Sequence, residues 1–443
     1  MEVQFNSSLE QVIKEKILSG IEPPYQSFTR RNITLPKIKG KAIAVIGMRR
    51  AGKTTFLQQC RTDLIEGGRR PEKLLYFNFE DERLFDLQAQ QLKLIPEIHE
   101  RLFPNNEKEP VTLFLDEIQR ISGWEGFVRR LLDTPGYELF LSGSSAKLLS
   151  REIATSMRGR AWEIAIYPFS FAEFLSYHKK EVPEKIDHLS FKKQLALDHQ
   201  FALFLKLGGL PEAQSLNTAE RRQLLQGYVD VLLLRDVIER HQIVNVVALR
   251  WMVRRLMSNP AGLFSVTKFA ADLKSQGIAA SRDTLYELLD HLQDTFLLKA
   301  ITIAGDSEKR RQVNLRKIYP ADTGFISVFD RSEKSNIGHA LENAVFVELQ
   351  RRNADVTYVN NSTGTEVDFL ARYDNNTEEL TQVCASLDSP ETLQREIRAL
   401  EDAHKIYPHA RQLILTLESK MPFPSVPKKI QIMPAWQWML KSR

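Results

Sequence analysis

Continuous apolar runs alternate with helical patterns in the first part of the chain. Three runs rich in apolar residues predict buried strands, namely Ala42–Ile46, Val111–Leu115 and Tyr137–Leu141. Short apolar runs with helical segments between them are typical of a parallel sheet that is covered by helices on both faces. The pattern therefore predicts an α/β fold, with an αβα core over residues 41–175.

The rest of the chain divides into four further segments. Residues 1–40 predict a helical lead-in that is interrupted by prolines, and residues 176–244 predict a helical lid on the core. Residues 245–330 predict two strands after three helices, which is a winged-helix arrangement. The predicted helices are Val246–Met257, Ser265–Leu273 with Ser265 as its cap, and Ser281–Thr295. Residues 335–443 alternate again between helices and strands, so they predict a second α/β domain.

A phosphate-binding sequence, G-x-x-x-x-G-K-[ST], follows the first strand and leads into a predicted helix. Its two glycines let consecutive backbone N–H groups face phosphate oxygens, and the helix N-terminus adds its positive end. Lys53 is predicted to reach the β- and γ-phosphates of ATP, and the Thr54 hydroxyl to bind Mg²⁺. The predicted nucleotide-contacting residues are Gly47, Met48, Arg49, Arg50, Ala51, Gly52, Lys53, Thr54, Thr55 and Asp116.

An acidic pair ends the second predicted strand, Val111–Leu115. Ligands of parallel sheets bind outside the carboxyl ends of the strands, so the pair is expected beside the phosphates. Asp116 is predicted to hold Mg²⁺ through water, and Glu117 to activate the attacking water. The first turn of a helix also favours acids, but the preceding phosphate-binding sequence supports the catalytic interpretation.

Hydroxyl and guanidinium groups follow the third predicted strand. Ser142 is predicted to sense the γ-phosphate or to orient water, and capping of the next helix is the alternative. Arg158 and Arg160 are predicted to stabilise transition-state charge on the nucleotide of a neighbouring subunit. If both arginines are simply solvated, they have no such role.

These motifs together resemble the AAA+ ATPases of the AAA_14 type that are fused to a domain of unknown function numbered 4143. The resemblance implies a P-loop ATPase core and extends over nearly the whole chain, although it assigns no cellular task. The segments that carry it are Gly47–Thr55, Tyr76–Leu84, Phe114–Arg120, Gly123–Glu125, Leu141–Ser145, Arg158–Arg160, Tyr167–Phe174, Gly208–Glu212 and Leu234–Val237.

Basic residues cluster in the predicted wing. They are Lys309, Arg310, Arg311, Arg316 and Lys317. Such a cluster beside a helix-turn-helix is a candidate phosphate contact on DNA or RNA. The alternative is that the winged helix binds protein. Its basic residues would then only prevent pairing at the exposed edge of the hairpin.

The C-terminal segment is similar to the core of PD-(D/E)xK nucleases, as the family's C-terminal domain is described. The resemblance implies Mg²⁺ binding by Glu342, on a helix, and by Asp368, on a strand. Gln382-x-Cys384 replaces the acid-x-Lys of the nuclease pattern, so the cation that stabilises the transition state is missing. Loss of one such group costs about 10²–10³ in rate. A nuclease-like fold kept as a binding surface is therefore preferred, with Arg395 or Arg398 as a substitute cation in the alternative.

Composition limits the class of protein. With 443 residues, 43% hydrophobic and 26% charged, the chain is long enough for about three domains. No apolar run approaches the roughly 18 residues that span a bilayer, and the N-terminus lacks a signal-peptide pattern. Cys60 and Cys384 offer neither a disulfide framework nor a zinc spacing, so a cytoplasmic location is predicted. The net charge of +5 fits nucleic-acid binding and ordinary solubility equally.

Two function classes follow from the sequence. The first is a Mg²⁺-dependent ATPase that couples ATP hydrolysis to nucleic-acid binding or remodelling, with a second subunit or protein partner completing its active site. The second is a nucleotide-gated scaffold that carries an inactive nuclease-like domain. A membrane partner is not expected.

Overall fold

The computed structural model describes residues 2–22, 27–36, 38–104, 109–143, 157, 159–305, 315–329, 337–360, 364–419 and 426–441. The chain forms two compact units, Met1–Ile166 and Tyr167–Arg443. Within the described ranges, no helix is long and apolar enough to cross a membrane. The predicted site residues Arg158, Lys309, Arg310 and Arg311 lie outside the described residues.

A five-stranded parallel sheet forms the centre of the first unit. Its strands are β1 (Ala42–Ile46), β2 (Leu74–Asn78), β3 (Val111–Asp116), β4 (Tyr137–Gly143) and β5 (Ala161–Ala165). All residues of β1 and β3 are buried, as expected for strands covered on both faces. The three strands predicted from the apolar runs are thus confirmed, with β3 and β4 extending slightly further.

The order of the strands is β2-β3-β4-β1-β5. Strand β4 is therefore inserted between β1 and β3 and pairs with both in parallel. Because parallel strands end at the same edge, the segments that follow β1, β3 and β4 meet at one place. This order brings together three motifs that are far apart in the sequence.

Helices cover the first sheet. They are α1 (Glu2–Ile21), α2 (Lys53–Glu66), α3 (Leu94–Leu102) and α4 (Trp124–Asp133). Helix α1 packs on β2 and α3, and it buries Leu9, Ile13 and Ile17, which recur every fourth residue on one face. The predicted lead-in is thus part of the first compact unit.

The second unit begins with helices. They are α5 (Phe171–Tyr177), α6 (Phe191–Leu207) and α7 (Thr218–Leu232), which continues as a π-helical segment, Leu233–Glu239. Phe171 and Phe201 pack edge to face at 5.1 Å, within a core that also includes residues of the C-terminal part. Residues 167–175, predicted with the ATPase core, therefore belong to the second unit. The boundaries predicted inside this unit stay predictions.

Gly208 and Gly209, which follow α6, lie against the buried carboxylate of Asp322. The Gly209 N–H donates to Oδ2 of Asp322 at 2.6 Å, and the Gly324 N–H donates to Oδ1 at 2.8 Å. Gly208 has φ 76°, and a Cβ there would lie 1.8 Å from the same carboxylate. Burial raises the pKa of Asp322 to about 7, although the two N–H donors oppose this shift.

The middle of the second unit has the order helix, strand, two helices and two strands. The elements are α8 (Val246–Met257), β6 (Leu263–Phe264), α9 (Val266–Ser275), α10 (Arg282–Asp294), β7 (Leu298–Ile301) and β8 (Arg316–Pro320). The strands form an antiparallel sheet of order β6-β8-β7. Ser265 caps α9 by accepting from the Lys268 N–H, as the sequence predicts. The three helices and the strands β7 and β8 follow the predicted order, strand β6 was not predicted, and the winged-helix assignment stays a prediction.

The C-terminal part is a five-stranded mixed sheet with helices. Its elements are α11 (Thr323–Phe329), α12 (Ile337–Arg351), β9 (Asp355–Asn360), β10 (Glu366–Arg372), β11 (Glu378–Cys384), α13 (Pro390–Ile406), β12 (Arg411–Thr416), β13 (Ile430–Pro434) and α14 (Ala435–Leu440). The order is β13-β12-β11-β10-β9, antiparallel from β9 to β11 and parallel from β11 to β13. The predicted α/β segment is confirmed. Strand β13 and helix α14 were not predicted.

Candidate nucleotide site

The phosphate-binding loop connects β1 to α2 through a tightly curved backbone. Gly47 has φ 148°, and a Cβ there would lie 2.3 Å from the Ile166 carbonyl oxygen. Gly52 has φ 100° and is the residue before the first turn of α2. Both conformations favour glycine, so each glycine of the motif has a steric reason. The first N–H groups of α2 have no acceptor within the helix, which suits them to phosphate oxygens.

Lys53 reaches back across the loop from the start of α2. Its ammonium donates to the carbonyl oxygens of Gly47 and Met48 at 3.1 and 3.2 Å, and it is 5% exposed. Its nitrogen lies 3.9 Å from Oε1 of Glu117. The charge is therefore held over the loop by weak neutral acceptors, which phosphate oxygens can replace.

Asp116 is the centre of a hydroxyl network at the end of β3. Its Oδ2 accepts from Thr54 at 2.8 Å and from Tyr76 at 2.7 Å, and its Oδ1 accepts from Ser142. Burial and the Asp116 charge raise the pKa of Tyr76, so this phenol remains a donor. Asp116 is 1% exposed, and its charge is stabilised by these three donors.

Glu117 is fixed by its backbone. It has φ 56° and ψ 39°, a left-handed conformation that is uncommon for glutamate and that often marks functional sites. Its N–H donates to the Ser142 hydroxyl at 3.0 Å, and its Oε2 accepts from the Gln119 amide. The side chain is thereby held next to Lys53, at the edge where the phosphates are expected.

The structure brings together most of the predicted catalytic residues. Lys53, Asp116, Glu117 and Ser142 converge at the carboxyl edge of the sheet. Ser142 is fully buried, and its hydroxyl links the two acids. It accepts from the Glu117 N–H and donates to Asp116, so its described contacts are with the acids and not with a helix N-terminus. Thr55 is exposed on α2.

Arg160 makes a surface ion pair with Asp133 of the same chain. The Arg160 side chain is 41% exposed and that of Asp133 is 63% exposed. Such exposed pairs contribute about 0–1 kcal/mol, so the pair does not prevent a second role for Arg160. The role on a neighbouring subunit stays a prediction.

Two residues of the site were not assigned from the sequence. Tyr76 and Gln119 lie in the family segments Tyr76–Leu84 and Phe114–Arg120, and the sequence assigns neither of them a role. Tyr76 reaches Asp116 because β2 and β3 are neighbours in register, with Asn78 opposite Asp116. A tyrosine near the carboxyl end of a strand is a weak signal without the strand order.

The residues fit Mg²⁺ with a nucleoside triphosphate. Magnesium prefers few carboxylates together with phosphate and water oxygens. The Thr54 hydroxyl and the Asp116 carboxylate touch each other, so both would hold the ion beside the Lys53 ammonium. Gly47 lets the loop pass directly against the Ile166 carbonyl, where a Cβ would clash.

A second buried cluster surrounds Lys317 in the other unit. Its ammonium nitrogen lies 3.1 Å from Glu342 Oε1, 2.9 Å from Glu366 Oε1 and 3.0 Å from Asp368 Oδ1. Tyr319 also donates to Glu342 Oε1, at 2.8 Å. Lys317 is 3% exposed, so the prediction that it contacts nucleic acid is wrong: the side chain points into acids and away from solvent.

Lys317 thus places a cation beside Glu342 and Asp368, whereas the Gln382-x-Cys384 segment contains none. The predicted substitute, Arg395, instead pairs with Glu396, which also accepts from the Gln382 amide at 2.6 Å. Within the described part of the chain, no group of three or more His, Cys, Asp or Glu side chains is arranged to hold a metal ion. Metal binding by Glu342 and Asp368 therefore stays a prediction.

Arg316 precedes Lys317 on β8 and lies on the other face of the strand, as alternation along a strand requires. Its guanidinium lies 5.4 Å from the centre of the Tyr286 ring on α10. Arg316 is partly exposed, so it remains a candidate phosphate contact.

Comparisons with known proteins identify the two parts of the chain. The family model of an AAA domain matches residues 39–175, and that of a domain of unknown function, DUF8612, matches residues 198–335. The uncharacterized protein MJ1544 of Methanocaldococcus jannaschii is 34% identical over 441 residues, covering 97% of this chain and 95% of that protein. The predicted AAA resemblance is confirmed. The domain numbered 4143 and the nuclease-like identity stay predictions.

Two solved structures resemble parts of the fold. The Walker-type ATPase PABY2304 of Pyrococcus abyssi is 14% identical and covers 72% of this chain and 95% of its own, with a TM-score of 0.37. The Aeropyrum pernix ORC2 protein, in its ADPNP–ADP complexes, is 14% identical and covers 73% and 91%, with a TM-score of 0.34. Scores this low add nothing to the family match.

Proposed function

Since the chain belongs to the family of the Methanocaldococcus jannaschii protein MJ1544 and contains an AAA domain, we propose that it hydrolyses ATP with Mg²⁺. We infer further that it couples this reaction to the binding or remodelling of nucleic acid. The observation that carries the first part is the convergence of Lys53, Thr54, Asp116 and Glu117 at one edge of the sheet. Each of these groups has a distinct task in phosphoryl transfer.

Glu117 is the proposed general base. One carboxylate oxygen accepts from Gln119, and the other faces the Lys53 ammonium at 3.9 Å. Phosphates that bind Lys53 would weaken this ion pair and leave Oε1 to take a proton from water. Bound Mg²⁺ would neutralise charge on the phosphates. Thr54 and Asp116 would position it, while Ser142 and Tyr76 keep the Asp116 carboxylate oriented.

Arg160 is proposed to act on the nucleotide of a second copy. It lies on the surface, where its side chain pairs with the exposed Asp133. An arginine that is exposed and weakly paired can reach a neighbour at little cost. This proposal makes ATP hydrolysis dependent on assembly.

A basic groove in the second unit supports the nucleic-acid part of the proposal. It encloses a cavity of about 850 Å³ beside α7, α8 and α9. Four arginines, two aspartates and a tryptophan are among its lining residues: Arg222, Arg250, Arg254, Arg255, Asp230, Asp272 and Trp251. The net charge of these side chains is positive, and Trp251 is 44% exposed. Single-stranded nucleic acid is bound by this combination of cations and an exposed aromatic ring.

The test measures ATP turnover by the full chain with no polymer, single-stranded DNA, duplex DNA or RNA. The proposal expects Mg²⁺-dependent turnover that one polymer stimulates, with stimulation falling as salt rises. The Glu117→Gln variant is the control, because it should bind the polymer while turnover is lost. Absence of turnover with all polymers and at all protein concentrations would contradict the ATPase proposal.

A nucleotide-gated scaffold is the second candidate. The observation that favours it is the Lys317 cluster. There the acids of the nuclease-like pattern, Glu342 and Asp368, are already paired with an internal lysine. A scaffold would hydrolyse ATP slowly, and no polynucleotide would change its rate. The same assay therefore separates the two candidates.

A further inference from the structure

Three carboxylates from two elements converge on one point in the second unit, and the Lys317 ammonium occupies that point. Glu342 lies on α12, Glu366 and Asp368 lie on β10, and Lys317 belongs to a different sheet, on β8. The three N···O distances are between 2.9 and 3.1 Å. Carboxylates arranged in this way around a shared centre are typical ligands of hard divalent cations.

We propose that Lys317 is the resident cation of this carboxylate site and takes the place that a divalent metal ion would otherwise hold. The ammonium thereby fastens the sheet of β6, β7 and β8 to the C-terminal sheet. While the ammonium is present, the three carboxylates do not fit a hard divalent cation such as Mn²⁺ or Mg²⁺, and its removal would make them available to one.

Both carboxylate oxygens of Asp368 have partners within the protein. Oδ1 faces the Lys317 ammonium, and Oδ2 accepts from the Val383 N–H at 2.9 Å. Gln382 Oε1 accepts from the Asp368 N–H at 3.2 Å, and the Gln382 amide donates to Glu396. Asp368 is therefore committed to contacts within the protein while the lysine is in place.

The charge of the Lys317 ammonium also acts against the binding of a metal ion. With all three carboxylates ionised, one ammonium leaves a net charge of −2, and its removal would leave −3 in a mostly buried place. Burial and the Asp368 charge raise the pKa of Glu342 to about 7. Burial alone would lower the pKa of Lys317, but the charges of Asp368, Glu342 and Glu366 raise it above its ordinary value. The ammonium is therefore permanently charged near neutral pH, and it repels a second cation at contact distance.

Hydrogen bonds near Lys317 also join the sheet of β6, β7 and β8 to the C-terminal sheet. The Ala304 N–H donates to the Tyr358 carbonyl at 2.7 Å, and the Tyr358 hydroxyl donates to the Leu315 carbonyl at 2.7 Å. Tyr358 lies on β9, while residues 304 and 315 flank the ends of β7 and β8. The Lys317 ion pairs are the charged part of this junction.

The first test replaces Lys317 by Met, which shortens the side chain by one atom and removes its charge. We expect this variant to bind Tb³⁺ at least about tenfold more tightly than the parent, in the absence of nucleotide. Bound Tb³⁺ should luminesce on excitation of tyrosine, because Tyr319 touches Glu342. Mn²⁺ should raise the melting temperature of this variant and leave that of the parent unchanged.

Lys299→Met is the matched control, because Lys299 is an exposed lysine on the neighbouring strand β7. It should show neither gain. Adding Asp368→Asn to Lys317→Met should abolish both gains. A folded Lys317→Met protein that binds no more Tb³⁺ than the parent would overturn the proposal.

A second test does not require Lys317→Met to fold. Mn²⁺ bound per chain is counted by electron paramagnetic resonance in Lys53→Ala, which lacks the nucleotide-site charge, and in Lys53→Ala with Asp368→Asn. Equal counts are expected, because the lysine already excludes the metal. Loss of one bound Mn²⁺ on the Asp368 substitution would show that metal and lysine coexist, and the proposal would fail.

Discussion

Replacing Glu117 by Gln should leave ATP binding intact and nearly abolish hydrolysis. Glutamine has almost the same volume, and its backbone N–H can still donate to Ser142 at the 3.0 Å seen for Glu117. The lost features are the proton acceptor and the charge that lies 3.9 Å from the Lys53 nitrogen. The substitution therefore separates proton transfer from the shape of the site.

The size of the effect follows from these losses. Removal of a general base costs about 10²–10⁴ in turnover, which corresponds to about 3–5 kcal/mol in the barrier. The attraction between two charges at this separation is about 4 kcal/mol near a protein surface, before solvation is counted. Its loss leaves the ammonium more available to phosphates, so the affinity for ATP should stay constant or increase.

The assay measures phosphate release and nucleotide affinity side by side. Glu138→Gln is the matched control, because Glu138 lies at the other end of β4, where it accepts from Thr112 at 2.9 Å. This control should hydrolyse ATP like the parent. If Glu117→Gln keeps a rate within about threefold of the parent, the base is a different group and the proposed mechanism is wrong.

Three further predictions address assembly, nucleic acid and pH. Mixing Arg160→Ala subunits with Glu117→Gln subunits should restore part of the ATPase rate, whereas a rate per subunit that is independent of concentration and mixing would exclude action on a neighbour. Replacing Arg254 and Arg255 by Ala should reduce the slope of log affinity against log salt by about 1.4 units on single-stranded DNA, and an unchanged slope would place the phosphate contacts elsewhere. Because the pKa of Asp322 is raised from 3.8 to about 7 in the folded protein, the folded state binds this proton more tightly. The free energy of unfolding should therefore fall as pH rises across that interval, and Asp322→Asn should flatten the profile measured by urea unfolding.

The sequence determined the local elements and the chemistry of the nucleotide loop. Strand β1, helix α8 and the Ser265 cap have the positions expected from apolar periodicity and capping, because these signals act between near neighbours. The glycines of the loop were predicted for backbone curvature, and their φ angles agree. Such features depend on a few adjacent residues, so a single sequence contains them.

Only the tertiary structure decided which distant groups touch. The insertion of β4 between β1 and β3 brings Ser142 to Asp116, and the pairing of β2 with β3 brings Tyr76 there. Lys317 looked like one more exposed basic residue of the wing, yet it is buried among acids of another sheet. Strand order and the packing of one sheet on another are set by the whole core. Residue type and spacing therefore could not distinguish a phosphate contact from an internal counter-charge.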